Sequence, residues 1–215
     1  MATRRHRWYG STFLTDLAGS VDLSLKGNAA IVDGRLVLDG SGDYAESDSN
    51  ISSFGSNSFS VRFLINTSDT SGPRIFACRS GNGIDINFRD AAGHFGTYCK
   101  DVNGNGPIAS SIVSNTAIAD GVDHEVVVVV DRSNGEIRYY VDGEHDRTAS
   151  HGLVDDFTPA DHLFLGIFPN GSTAPLDGNF KFAEWWDGAL TADEIAGLAQ
   201  EGVGMFRRVI GGGVF

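Results

Sequence analysis

Residues Asp123 to Glu144 read Asp-His-Glu-Val-Val-Val-Val-Val-Asp-Arg-Ser-Asn-Gly-Glu-Ile-Arg-Tyr-Tyr-Val-Asp-Gly-Glu. Val126 to Val130 are five consecutive β-branched residues, the pattern of a strand covered on both faces. Ile137, Tyr139 and Val141 then alternate with polar or amphipathic neighbours, as a second strand would. Asn134-Gly135 is expected to turn the chain between them, since both residues tolerate positive φ. A buried hairpin of this kind implies a large sheet around it.

Working outward, short strand signals recur with turns between them. Ala29 to Val32 and Arg35 to Asp39 flank Asp33-Gly34, a two-residue hairpin signal, and Tyr44 to Glu46 continues as strand. In Ser58 to Asn66, Phe59, Val61, Phe63 and Ile65 point one way and Ser58, Ser60 and Arg62 the other, which predicts one wet face. Arg74–Arg79, Ile84–Arg89 and Phe95–Lys100 read as a meander, with Ile84, Ile86 and Phe88 set against Asp85, Asn87 and Arg89. Ser111 to Thr116, Leu163 to Ile167 and Phe180 to Trp186 complete the series, while Asp16 to Gly27 reads as loop. With no internal repeat, the pattern predicts an all-β, two-sheet antiparallel jelly-roll sandwich. A single short C-terminal helix follows: Thr191-Ala192-Asp193-Glu194 forms a capping box, Leu190 staples onto Ile195, and Gly202 is the expected stop.

The chain has 215 residues, 41% of them hydrophobic, which supports one large core without disulfide staples. Gly, at 28 residues, is about twice its ordinary usage and fits many turns. Formal charge is −12, yet the first ten residues hold Arg4, Arg5 and Arg7 and no acid, so the remainder carries −15. An acidic body repels phosphates and anionic lipid, so no nucleic-acid partner is expected. Nor is membrane insertion, because Val126 to Val130 is the longest run of strong hydrophobes. Arg4 to Arg7 precede no apolar h-region, so no signal peptide is expected and synthesis is placed in the cytoplasm. Cys78 and Cys99 then read as free buried thiols. The domain plan expected is a basic N-terminal arm over 1–12, the jelly roll over 13–202, and a Gly-rich apolar tail over 203–215. Both termini are expected to dock on a partner through Arg4, Arg5, Arg7, Trp8, Phe206, Arg207, Arg208 and Phe215.

Three segments in series carry a family resemblance. They are Gly34-Arg35-Leu36-Val37-Leu38-Asp39-Gly40-Ser41-Gly42-Asp43-Tyr44, the hairpin ending Tyr140-Val141-Asp142-Gly143-Glu144, and Phe182-Ala183-Glu184-Trp185-Trp186-Asp187-Gly188-Ala189-Leu190-Thr191-Ala192-Asp193-Glu194-Ile195. Together they resemble the laminin-G-like, concanavalin A-like lectin/glucanase superfamily over roughly residues 28 to 202. The last segment is similar to a form met in tailed-phage virion proteins, where an Ala-Leu-Thr-x-x-Glu-Ile helix follows a Trp-containing strand. Some relatives use calcium with Asp-Glu early in that strand; here Lys181 and Phe182 stand there, and structural calcium loses its support.

Glucanases of the superfamily carry Glu-x-Asp-x-x-Glu on one strand, and that triad is absent. Retaining hydrolysis needs two carboxyls about 5 to 5.5 Å apart on one face, and no strand offers the pair. Glu184 beside Trp185, Trp186 and Asp187 is the nearest suggestion of an acidic aromatic site, and sheet-edge packing plus solvation is expected to account for it. Asp101-Val102-Asn103-Gly104-Asn105-Gly106 copies the start of an EF-hand loop, but Ile112 occupies the position of the bidentate Glu. The six histidines show no metal-ligand spacing, so neither metal nor cofactor is expected and the chain reads as no enzyme. Sugar sites combine an exposed aromatic with rim Asp and Asn, which nominates Tyr140 with Asp101, Asn103 and Asn105. The leading expectation is a non-catalytic, lectin-like adhesion or structural protein on the surface of a phage-like particle, oligomeric, gripping host glycans. A free bacterial carbohydrate-binding module is the alternative, and a glycoside hydrolase a distant third.

Overall fold

The computed structural model describes residues 1–51, 55–79, 81–106, 112–153, 155–157 and 162–200. In chain order the strands are β1 (Thr3–Tyr9), β2 (Leu23–Lys26), β3 (Ala30–Val32), β4 (Arg35–Asp39), β5 (Tyr44–Asn50), β6 (Phe59–Asn66), β7 (Arg74–Arg79) and β8 (Gly83–Phe88). There follow β9 (His94–Lys100), β10 (Val113–Ala117), β11 (Asp123–Asp131), β12 (Glu136–Val141), β13 (Glu144–Ser150), β14 (His162–Leu165) and β15 (Asp177–Asp187). One sheet has eight strands in the order β13-β12-β11-β6-β15-β4-β3, with β1 also on β15; the other has seven, β10-β9-β8-β7-β14-β5-β2. Their antiparallel pairing makes the jelly-roll sandwich that the alternating sequence predicts, with helical backbone at 192–200.

The opening hairpin sits at the centre of the larger sheet. Val126, Val128 and Val130 enter the main core between the sheets, while Val127 and Val129 join a second cluster with Tyr140, Trp186, Leu190 and Ile195 on the outer face. Burial on both faces is thus real, and each fully buried side chain of this size stabilises by about 1.5–3 kcal/mol. The turn differs from expectation. Four residues separate Asp131 from Glu136, and of Asn134 and Gly135 only Gly135 takes positive φ. The Asp131 carboxylate holds the loop, accepting from Ser133 N, Asn134 N, Ser133 Oγ and Asn134 Nδ2. At Asp33-Gly34, by contrast, both residues are left-handed (φ 49° and 73°) and the two-residue hairpin is as read.

Three strands were unexpected. β13 is an edge strand whose residues are all at least partly exposed, so no core pattern marks it. β2 lies inside the stretch read as loop. β1 corrects the expected N-terminal arm over 1–12: it pairs with β15 from Thr3↔Asp187 to Tyr9↔Phe182. His6 and Trp8 point inward, Trp8 fully buried with Nε1 donating to Val21 O, so Trp8 is core and no docking residue. Arg4 and Arg7 face outward to Glu184, Nε to Oε1 at 3.4 and 3.3 Å, and Arg5 pairs with Asp187. The tail 203–215, with Phe206, Arg207, Arg208 and Phe215, the Gly202 stop and the start of the Ser111 strand lie outside the described residues.

Helix 192–200 closes the outer face of the larger sheet. Its capping box forms as expected: Glu194 N donates to Thr191 Oγ1 (3.2 Å) and Thr191 N to Glu194 Oε2 (2.9 Å). Beneath it lies a buried ion cluster. Arg62 donates to Glu125 through Nε (3.0 Å) and Nη2 (2.7 Å), to Glu184 through Nη1 (3.1 Å), and to the helix carbonyl of Leu198 (3.1 Å). Removing Arg62 would strand the buried Glu125 carboxylate and leave Glu184 with Arg4, Arg7 and the Trp186 indole N–H, so Arg62→Leu is expected to cost about 3–5 kcal/mol, measured as the change in unfolding free energy in urea; a loss under about 1 kcal/mol would contradict the role given to this cluster.

Candidate functional site

The two sheets present different outer faces. On the larger one the helix covers Tyr140, which is only 5% exposed and packs edge-on against His145. Tyr140 therefore offers no stacking surface, which corrects its nomination. Asp101 is 1% exposed and follows β9 of the other sheet, so Tyr140 is not brought together with the Asp101, Asn103 and Asn105 loop. Its Oδ1 accepts from Asn103 N and Asn105 N, its Oδ2 from Asp155 N, and the amides of Asn103 and Asn105 both donate to the Asp155 carboxylate. The resemblance to a calcium loop is a self-satisfied turn. Among the described residues no three His, Cys, Asp or Glu side chains converge in a way that could hold a metal ion.

On the seven-stranded sheet a single row of outward residues crosses six strands: Tyr98, Asp85, Ala77, Phe164, Glu46 and Ser24, each paired to the next. Alternation places Tyr98 and Lys100 on this face of β9, Asp85 and Asn87 on β8, and Arg79 on β7. Arg74 joins them through a bulge. Ile75 and Phe76 both turn into the core across the register shift between Arg74 and Phe76, which puts Arg74 back on the outer side.

Two glycines shape this face. Gly83 stands between Lys100 and Arg79 in the cross-strand register with φ 126°, where a Cβ would collide with the Cys78 carbonyl oxygen, and Arg79 sets its guanidinium 4.1 Å from the Tyr98 ring centroid. Gly96 has Arg89 above it: a Cβ there would come within 2.7 Å of Arg89 Cγ. Phe168, from the connection between β14 and β15, folds back so that Arg74 and Arg79 both sit over its ring, at 5.3 and 5.5 Å. Each such contact contributes about 0.5–1 kcal/mol at partly exposed sites.

Asp85 lies beneath the guanidinium groups, 1% exposed, with Oδ2 2.9 Å from Arg74 Nε and 3.5 Å from Arg79 Nη2. Burial pushes its carboxyl above the ordinary range despite both arginines. Tyr98, Phe168, Arg74, Arg79, Arg89 and Lys100 are all partly exposed. The result is a flat aromatic and basic platform, with Tyr44 and Phe164 extending it along the sheet (centroids 5.8 Å apart).

Other perturbed acids have local duties. Asp43 Oδ2 accepts from Asp39 N, and Asp39 accepts from Ser41 N and Asn28 Nδ2; burial raises Asp43, and the Asn28 hydrogen bond lowers Asp39. Glu125 and Glu184 share a face but are neutralised by Arg62 under the helix. Asp39 is exposed but Asp43, its neighbour, is 1% exposed and tied to the turn, and the glutamate pair is covered.

Sequence reading missed the platform because its residues come from three strands and one loop. The outward alternation of Asp85, Asn87 and Arg89 was legible, but the register that lays Arg79 beside Tyr98 was not.

With this geometry in view, the comparisons are informative. A laminin G-type family model, described as concanavalin A-like lectin/glucanases superfamily, matches residues 39–196, and the chain belongs to that family. Similar solved structures include the binding domain of botulinum neurotoxin serotype D, with 16% identity over 94% of this chain and 51% of that one and a TM-score of 0.74. The ligand-binding domain of the same serotype in complex with N-acetylneuraminic acid gives 16% identity, 93% and 51% coverage and a TM-score of 0.71. The binding domain of paraclostridial mosquitocidal protein 1 gives 16%, 92% and 52%, and 0.72. The chain spans about half the length of these structures, and at such identity the likeness is one of fold. Comparison with curated protein sequences gives no match.

At the far end of the larger sheet His124 bridges two acids, Nδ1 to Asp142 Oδ2 (2.8 Å) and Nε2 to Asp120 Oδ1 (3.2 Å). Burial alone would lower its pKa, but the Asp142 and Asp120 carboxylates outweigh that and raise it. A raised folded-state value means the stabilisation is complete below the unfolded value of about 6.5 and fades as pH rises through the folded one. The urea midpoint of the wild type should thus exceed that of His124→Gln most at about pH 6 and least at about pH 8.5; a gap that widens with pH would contradict the bridge.

Proposed function

We propose that the protein is a non-catalytic carbohydrate-recognition domain that binds glycans on the outer face of its seven-stranded sheet. The observation that carries this reading is the platform of Tyr98 and Phe168 with polar groups fixed between them. Aromatic faces stack on the apolar side of a sugar ring while guanidinium and amide groups bind its hydroxyls. Support of a coarser kind comes from membership of a lectin and glucanase superfamily and from similarity of fold to binding domains, one of them described with a bound sugar. Hydrolysis is disfavoured, since the carboxylates nearest one another are neutralised or tied to turns.

The finer proposal is that this domain is displayed in several copies on a phage-like particle, where it meets host-surface glycans. What supports it is the segment Ala189 to Ile195, whose capped helix after a Trp-containing strand resembles the virion form. Attachment to neighbouring subunits is assigned to residues 203–215, with their apolar and basic composition, because residues 3–9 are used within the sheet.

Tyr98→Ala should weaken binding on a glycan array by about ten-fold while the fold is kept, its melting temperature falling by only about 2–4 °C through the lost cation–π contact, and Tyr98→Phe should keep both. Equal binding by Tyr98→Ala would remove this face from the function. Deletion of 203–215 should lower recovery of the protein in purified particles while leaving glycan binding intact; full incorporation without the tail would overturn the attachment assignment.

A further inference from the structure

The platform has a charge that sets it apart from the rest of the molecule. Arg74, Arg79, Arg89 and Lys100 stand on one sheet face, and among the described residues Asp85 is the one carboxylate set between them, an excess of three positive charges in a chain whose net charge is −12. The next acid along the row, Glu46, lies three strands from β8 and is answered by Lys26 at 3.4 Å and His162 at 3.2 Å. Asp85 does not cancel the patch. It spends one oxygen on Arg74 Nε and Arg79 Nη2, and so fixes the two side chains; Arg74 Nη1 is tied down further by the Gly72 carbonyl at 3.3 Å, while the Arg79 side chain keeps 18% of its surface exposed. Arg79 is held from three sides, by Tyr98, Phe168 and Asp85. An arginine clamped in this way loses little entropy when it binds, which favours bidentate recognition of a planar or tetrahedral oxyanion.

We propose that the ligand of this face is an anionic sugar, whose carboxylate or sulfate group is bound by Arg79 with Lys100 while its ring stacks on Tyr98. The proposal rests on the carbohydrate reading above and names the class of glycan. Long polyanions are a poorer fit, because the acidic remainder of the surface repels any chain that extends beyond the patch. A single anionic residue within a larger, mostly neutral glycan meets no such penalty. Arg89, laid across Gly96, and Arg74, over Phe168, supply the surrounding positive potential without touching the anion.

The test is a titration of the full chain followed by amide resonances, with methyl glucuronide, galactose 6-sulfate and methyl glucoside as probes. Both anionic sugars should shift the amides of Gly83, Tyr98 and Lys100, the neutral glucoside binding at least about ten-fold more weakly. The glucuronide and sulfate arms separate a carboxylate site from a sulfate site. Arg79→Gln should weaken anionic sugars by about ten-fold or more, Lys100→Gln, which removes the second group on the anion, by about five-fold, and the peripheral Arg89→Gln by about two-fold, with weaker binding at high salt. If Arg79→Gln does not fold, the Lys100 and Arg89 variants decide. Neutral and anionic sugars binding this face equally would overturn the anionic class and leave the carbohydrate reading standing. Inorganic sulfate binding as tightly as the sugar sulfate would also overturn it, since the ring would then contribute nothing. No shift at this face with any sugar would overturn both.

Discussion

Glu184 is the point on which the outer layer of the molecule turns. Its buried carboxylate receives Arg62 from β6 and the Trp186 indole N–H from its own strand, with Arg4 and Arg7 of β1 alongside. Arg62 in turn binds Glu125 of β11 and the Leu198 carbonyl of the helix. Four strands and the helix thus meet at one cluster of charges. Taking ions out of water is expensive, and such a cluster stabilises less than a well-packed apolar core would. Its value lies in specificity: the charges accept only one placement of β1 and one seat for the helix.

That seat divides the labour between the two faces. Once the helix covers Tyr140, Val127, Val129 and Trp186, the larger sheet has apolar residues on both sides and behaves as scaffold. The smaller sheet keeps an outer face of arginines, aromatics and one buried acid. Both faces use the same chemical parts, guanidinium, carboxylate and ring, but in different balance. Beneath the helix two glutamates close around Arg62, with Phe182 4.5 Å from its guanidinium. On the open face one aspartate holds two arginines, and positive charge remains for a ligand.

The sandwich was legible because core strands announce themselves by alternation. Phe59, Val61, Phe63 and Ile65 are all fully buried on the face their spacing predicts, whereas Ser60 and Arg62, expected on a wet face, are buried beneath the helix and its approach; the Thr191 capping box is local chemistry that needs no tertiary context. β13 and β1 escaped for the opposite reason. Glu144–Ser150 is an edge strand held by pairing with β12 and not by burial, and Arg4, Arg5 and Arg7 look like a solvated terminus until Glu184 and Asp187 are placed beside them. The site followed the same rule. Tyr140 was read correctly as pointing away from the main core, but a side chain's direction says nothing about what lies above it. The platform depends on register, on a bulge after Arg74 and on glycines at 83 and 96, all of which are properties of pairs of strands.

Geometry also bears on how such a face can serve adhesion. In the proposed mode such a platform would engage about one ring, some 12 to 15 heavy atoms at roughly 0.3 kcal/mol each, or about 4 kcal/mol in all. That corresponds to a dissociation constant near 1 mM, too weak for a lone domain to hold a cell. Several copies displayed together change the arithmetic, because once one site is engaged the next binds at the high effective concentration of a tethered ligand, and avidity exceeds single-site affinity by about 10² to 10⁴ without any new contact. A shallow basic platform on a rigid sandwich is therefore chemically matched to a protein presented many times on one surface, where weak binding to each sugar permits sampling and the sum secures attachment.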